Sequence, residues 1–184
     1  AMSGLVPAAS AAGIKDLWSM DLQILATSDT HGKFDPWDYA ANKADASGSV
    51  AQQATAIKEN RTKTTLVVDA GDTIQANSAE LFLNDDVHPM IAAQNAIGYD
   101  VYVTGNHESR ILQAFAQLEK RMAAAGAQIL RNQSLYWERE GQRVQLIGLD
   151  DPSFLVQESQ LEDHLHSLQD EDCYQILLFT AGAV

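Results

Sequence analysis

From Leu22 onward, short apolar runs alternate with amphipathic stretches. The runs LQILATS (22–28), TTLVVDA (64–70), DVYVTG (100–105), AQILRN (127–132) and YQILLF (174–179) are nearly unbroken in Val, Ile and Leu. Such runs predict strands covered on both faces, as in a parallel sheet. SLYWE (134–138) and RVQLIGL (143–149) read instead as a hairpin turning at Glu140-Gly141. Helical spacing is expected over 48–60, around 76–83, and over 88–97, 109–125 and 155–168. In the fourth of these, Ile111, Leu112, Phe115, Leu118 and Met122 share a face, and Gly126 follows as a C-terminal cap would. The alternation predicts an α/β domain, a mostly parallel sheet flanked by helices with one hairpin, and function where strands end and loops begin. The stretch 35–47 (DPWDYAANKADAS) is expected as the longest irregular loop, placed where a substrate could pass.

Composition narrows the class. A chain of 184 residues is one domain or most of one, long enough to bury a sizeable core. A formal net charge of −13 argues against nucleic-acid binding and against anionic membranes, and suits carboxylates that bind divalent cations. The single Cys173 has no internal disulfide partner, and no apolar run approaches the roughly 20 residues of a membrane span. Residues 1–19 are small, Ala-rich and without periodicity, so they read as a leader, tag or linker, with residues 20–184 as the domain. The cytoplasm is the expected compartment, or the periplasm or exterior if residues 1–19 stand for a processed signal.

Three strand ends carry chemistry. The first runs into SDTHGKF, with Asp29 and His31; the second into DAGDTIQ, with Asp72; the third into TGNHES, with Asn106, His107 and Glu108. Singly, each has an ordinary reading: a polar turn, a helix cap at Asp72, a turn asparagine, a surface histidine. In parallel neighbours, however, carboxyl ends lie side by side at about 5 Å per strand step. Asp29, His31, Asp72, Asn106 and His107 would then converge on one small volume. Carboxylate and amide oxygens mixed with imidazole suit Mn²⁺, Fe or Zn²⁺ better than Ca²⁺ or Cu⁺.

The blocks D-x-H, G-D and G-N-H-E resemble the first three signature blocks of the calcineurin-like metallophosphoesterase family. Over about residues 21–108 the match is similar to the bacterial 5′-nucleotidase and 2′,3′-cyclic-nucleotide phosphodiesterase branch. VQLIGLDDPSFL resembles the smaller single-domain members instead. The resemblance implies a metallophosphoesterase-like α/β sandwich, here a truncated or partial one. It implies two divalent metal ions, with Asp29 and His31 on one, Asp72 bridging and Asn106 on the second. His107 would lie against the substrate phosphate and Glu108 would support it. The expected activity is hydrolysis of phosphomonoesters or cyclic phosphodiesters, of nucleotides foremost, by a metal-activated water. The family's later blocks, a strand-end histidine and then Gly-His-x-His, have no counterpart in YQILLFTAGAV, where Thr180 or Ala181 stands instead. The alternative is therefore a non-catalytic domain that binds one metal weakly, or one acting as an oligomer or with a partner that covers an open sheet. His164 and His166, two apart on a helical pattern, point away from each other and are read as solvated. His88 is expected to be structural, and Asp150-Asp151 to form a turn.

Overall fold

The computed structural model describes residues 21–74, 77–105, 107–108, 119–120, 122–149, 159–170 and 172–179. Asn106, Asp150, Asp151, Thr180, Ala181, residues 1–19 and most of the predicted 109–125 helix lie outside the described residues. In chain order come β1 (Gln23–Thr27), β2 (Trp37–Asp38), β3 (Lys43–Ala44), α1 (Val50–Asn60) and β4 (Thr65–Asp69). A 3-10 helix (Asn77–Phe82), α2 (Pro89–Ile97), β5 (Val101–Val103) and β6 (Ile129–Leu130) follow. The chain then forms β7 (Gln133–Arg139), β8 (Gln142–Gly148), α3 (Ser159–Leu168) and β9 (Tyr174–Leu178).

The parallel reading holds for four of the five runs. YQILLF joins a second sheet instead, and it and the first run are only partly buried because each forms a sheet edge. β1, β4, β5 and β6 form one sheet in the order β1-β4-β5-β6, every pair parallel. All five residues of β4 are buried, as expected of a central strand covered twice. Its side chains divide by parity. Val67 joins Ile57 of α1, Met90 and Ile91 of α2, and Tyr102 in one core. Leu66 and Val68 join Val101, Val103, Trp137, Val144, Leu146 and Leu178 in the other. The second core lies between two sheets, because β7, β8 and β9 form a separate three-stranded sheet. β7 and β8 are the expected hairpin, closed by Arg139 opposite Gln142. Glu140 (φ 53°) and Gly141 (φ 75°) both take positive φ, the requirement of a tight primed turn. β9 runs parallel to β8 at the sheet edge, and exposes Tyr174 and Leu177.

Two expectations shift in detail. The loop 35–47 is not wholly irregular: Trp37–Asp38 pairs antiparallel with Lys43–Ala44. The stretch around 76–83 is a 3-10 helix rather than an α-helix. Helix ends follow local chemistry. Ser49 and Gln52 form a capping box on α1, and Gly98 (φ 90°) closes α2 in the left-handed region. His88 caps α2, with Nδ1 accepting from the Met90 N–H at 3.3 Å and Nε2 3.0 Å from the Ala79 carbonyl. Buried and bonded at both nitrogens, it has the structural role expected, and burial pushes its pKa down. His166 is exposed, with Nδ1 3.2 Å from Gln169 Oε1.

Candidate metal centre

The register places Thr27 opposite Asp69, and Asp69 opposite Tyr102, so three strands end at one level. Beyond that level the first two loops stay laced by backbone hydrogen bonds. Asp29 N–H donates to the Gly71 carbonyl (3.0 Å), His31 N–H to Asp72 (2.9 Å) and Gly32 N–H to Thr73 (2.7 Å). Asp29 (φ 54°), His31 (φ 48°) and Asp72 (φ 57°) all occupy the left-handed region. Non-glycine residues there cost about 1–3 kcal/mol each and persist where surroundings over-determine them. The lacing is that over-determination.

The third loop is tied to the second through side chains. His107 N–H donates to Asp72 Oδ1 at 2.9 Å. The Glu108 carboxylate is buried and accepts four backbone N–H groups. Oε2 takes those of Asp72 (2.8 Å) and Gly105 (3.0 Å); Oε1 takes those of Thr73 (2.7 Å) and Ile74 (3.0 Å). The carboxylate expected beside His107 thus serves the Asp72 turn. Gly105 is required for a different reason from the positive φ of Gly71 (φ 102°). A Cβ at Gly105 would stand 2.6 Å from both Asp72 Cγ and Asp72 N. Gly105→Ala should therefore displace Asp72, with overpacking costing about 1–3 kcal/mol. We expect Mn²⁺ affinity to fall at least about 10-fold by titration calorimetry.

These ties gather His31, Asp72 and His107, whose ligand atoms lie within 4.8 Å of one another. The His31 and His107 rings meet edge-on, centroids 4.8 Å apart and planes at 76°. His31 Nε2 stands 3.7 Å from Asp29 Oδ1. Two ligands of one ion, at bonds of about 2.0–2.2 Å, stand about 3–3.5 Å apart, close to that separation. His31 Nδ1 is buried with no hydrogen-bond partner among the described residues. The donors fit a divalent cation. Burial pushes the Asp72 carboxyl above its ordinary range, offset by the His107 N–H; Glu108 and Asp29 add like-charge repulsion. A divalent cation would relieve that repulsion.

Beneath the cluster lies a residue that the motif reading missed. Asp69 is buried at the end of β4 and accepts from Thr27 Oγ1 (3.0 Å), Gly71 N (2.9 Å), Thr73 Oγ1 (2.7 Å) and Gln94 Nε2 (2.5 Å). A charged residue closing an otherwise apolar run was the available signal. Burial pushes its pKa from 3.8 up to about 6, against the pull of the four bonds. The folded state therefore holds this proton more tightly than the unfolded chain. Its stabilising contribution is fully present below pH 3.8 and is lost as pH rises to about 6, a change of about 3 kcal/mol. Urea denaturation of the protein and of Asp69→Asn across that window checks it: their difference should move against the wild type as pH rises.

With this geometry in view, comparison with known proteins is direct. A family model described as calcineurin-like phosphoesterase matches residues 22–178. The chain belongs to the calcineurin-like phosphoesterases. Among curated relatives of this phosphoesterase domain is the trifunctional nucleotide phosphoesterase protein YfkN of Bacillus subtilis, 38% identical over 99 residues. That match spans 47% of this chain and 7% of the relative. A 2′,3′-cyclic-nucleotide 2′-phosphodiesterase/3′-nucleotidase of Salmonella typhimurium is 33% identical over 98 residues, 49% of this chain and 15% of the relative. The crystal structure of the calcineurin-like phosphoesterase YfkN from Bacillus subtilis superposes with a TM-score of 0.66 at 24% identity. It covers 89% of this chain and 63% of that one. The phosphoesterase chain thus spans a small part of the curated relatives it matches. Family membership implies divalent metal ions, and His31, Asp72 and His107 are described residues that could hold one. Among the described residues, no helix is long and apolar enough to cross a membrane.

Proposed function

We propose that this chain hydrolyses phosphate esters of nucleotides, with Asp29, His31, Asp72 and Asn106 as metal ligands and His107 beside the substrate phosphate. The observation that carries this reading is the convergence of His31, Asp72 and His107, from three successive strand ends, to ligand atoms within 4.8 Å. The substrate class is supported by the nucleotide phosphoesterase and cyclic-nucleotide phosphodiesterase names of the relatives. When bound, Mn²⁺, Fe or Zn²⁺ ions would supply an activated water and neutralise the phosphoryl oxygens. The protein's own part follows from its bonds. Asp72 accepts from the His107 backbone N–H, so the carboxylate is tied to the backbone that carries the imidazole. The imidazole can hand a proton to the leaving oxygen as the ester bond breaks. Glu108 acts as a positioning residue through the four N–H groups it holds. Asn106 joins the ligand set on its place between Gly105 and His107, both of which are anchored to the Asp72 turn.

A second reading rests on the same cluster. Three convergent ligands among the described residues suit one weakly held ion in a domain without turnover, alone or with a partner along the exposed β9 edge. Loading with Mn²⁺, counting bound metal, and assaying bis(p-nitrophenyl) phosphate beside a nucleoside 5′-monophosphate separates the two. Two ions and turnover support the enzyme. One ion or fewer, with no turnover of either ester, overturns it.

A further inference from the structure

Beside the metal ligands the surface opens into a cavity of about 330 Å³, between Asp29 and His31 on one side and the β2–β3 hairpin on the other. Small-ligand sites run from about 300 to 1,000 Å³, so this one suits a single nucleoside-sized group. Its chemistry is uneven. Trp37, on β2, lines the cavity and is 38% exposed, a large flat apolar surface left accessible beside a charged centre. Asp38 and Asp45 also line it. Lys33, the cation in the lining, is already paired with Asp45 and donates to Ser47 Oγ at 2.8 Å. This lining offers a phosphate little. It offers much to an aromatic ring carrying hydroxyl donors.

We infer that this cavity is the subsite for the nucleoside part of the substrate, with the Trp37 indole stacking on the base and Asp38 accepting from sugar hydroxyls. The inference rests on the phosphoesterase reading for where the phosphate sits, at the Asp29–His31–Asp72 side. The hairpin is what presents the indole: Trp37 and Ala44 are register partners, and Asp38 Oδ1 accepts the N–H groups of Ala40 and Ala41, each at 3.0 Å. Those two bonds hold the turn that joins β2 to β3. Both bonds go to one carboxylate oxygen, Oδ1, of a side chain that lines the cavity. On the far rim, Asn77 Nδ2 donates to the His31 carbonyl at 2.5 Å, fixing the wall that the subsite shares with the metal ligands. Stacking on an aromatic side chain is worth about 1–3 kcal/mol per base. A preference of about 10-fold or more for a nucleotide over the same sugar phosphate without its base should result.

The test is calorimetric binding to the full chain, using AMP, ribose 5-phosphate and adenosine, with Mn²⁺ and again with the metal chelated. AMP should bind at least about 10-fold tighter than ribose 5-phosphate. Trp37→Ala should remove that difference, and Trp37→Phe should restore most of it, which a general loss of folding would not do. Equal affinity for AMP and ribose 5-phosphate in the wild type overturns the proposal, as does an equal loss for both ligands in Trp37→Ala. Adenosine separates the two readings. If it binds in a Trp37-dependent way while neither phosphate compound gains from Mn²⁺, the subsite stands and the metal reading falls. If neither adenosine nor AMP shows Trp37-dependent binding, the subsite falls whatever the metal result.

Discussion

Asp72→Asn should lower turnover of a phosphodiester at least about 100-fold and weaken Mn²⁺ binding by a similar factor, while the fold persists. The substitution is nearly isosteric. Its amide oxygen can still accept the His107 N–H that Asp72 Oδ1 now accepts at 2.9 Å, and the backbone N–H given to Glu108 is untouched. What changes is one negative charge at the point where three loops meet. Burial already raises the Asp72 carboxyl above its ordinary range, with Glu108 and Asp29 contributing repulsion. Removing the charge relieves that repulsion, so the metal-free protein should be as stable as the wild type or slightly more so. Metal affinity should therefore fall while the thermal midpoint of the metal-free protein holds or rises. A parallel fall in both would mean that Asp72 is chiefly structural.

Glu108→Ala should behave in the reverse manner, losing stability first. Four buried N–H donors converge on this carboxylate, from Asp72, Thr73, Ile74 and Gly105. A buried donor left unsatisfied costs about 1–3 kcal/mol, though water entering the space vacated would recover part of it. A net loss of about 3–5 kcal/mol is expected, a large share of the stability of an ordinary domain. Glu108→Gln keeps one acceptor oxygen but turns an NH₂ group toward donors, and should lie between the two. Equilibrium urea unfolding gives the ranking: wild type, then Gln, then Ala. A Glu108→Ala protein as stable as the wild type, with activity lost, would put the carboxylate in the chemistry instead.

Much of this architecture could be read from apolar runs alone. LVVD and VYV have the length and near-continuity that a doubly covered strand demands, and both lie where expected. The hairpin at Glu140-Gly141 was equally plain, because its turn chemistry is local. Contacts distant along the chain were harder. Asp69 binds Thr27 and Gln94, 42 and 25 residues away, and no local pattern announces such a network. Glu108 is likewise distant from most of what it binds: its carboxylate accepts N–H groups of Asp72, Thr73 and Ile74, which its place beside His107 does not announce. The β2–β3 pair is two residues against two, too short to establish a period. The strained residues are the instructive case. Asp29, His31 and Asp72 accept φ values that propensity alone would assign to glycine, and local preference and site chemistry diverge at the same three positions.

The lacing between the first two loops bears on how this scaffold can be altered. Three backbone bonds, from Asp29, His31 and Gly32 to Gly71, Asp72 and Thr73, make loops that are 41 to 42 residues apart behave as one piece. A graft that replaces the SDTHG segment alone inherits a partner cut for another shape, and a one-residue insertion in either loop mis-sets side chains of the candidate metal centre contributed by both. Transplantation and directed evolution should treat 28–32 and 70–74 as a single cassette, exchanged together or left alone. The β2–β3 hairpin stands outside that cassette, so its side chains can be varied without touching the lacing, provided the Lys33–Asp45 pair is kept.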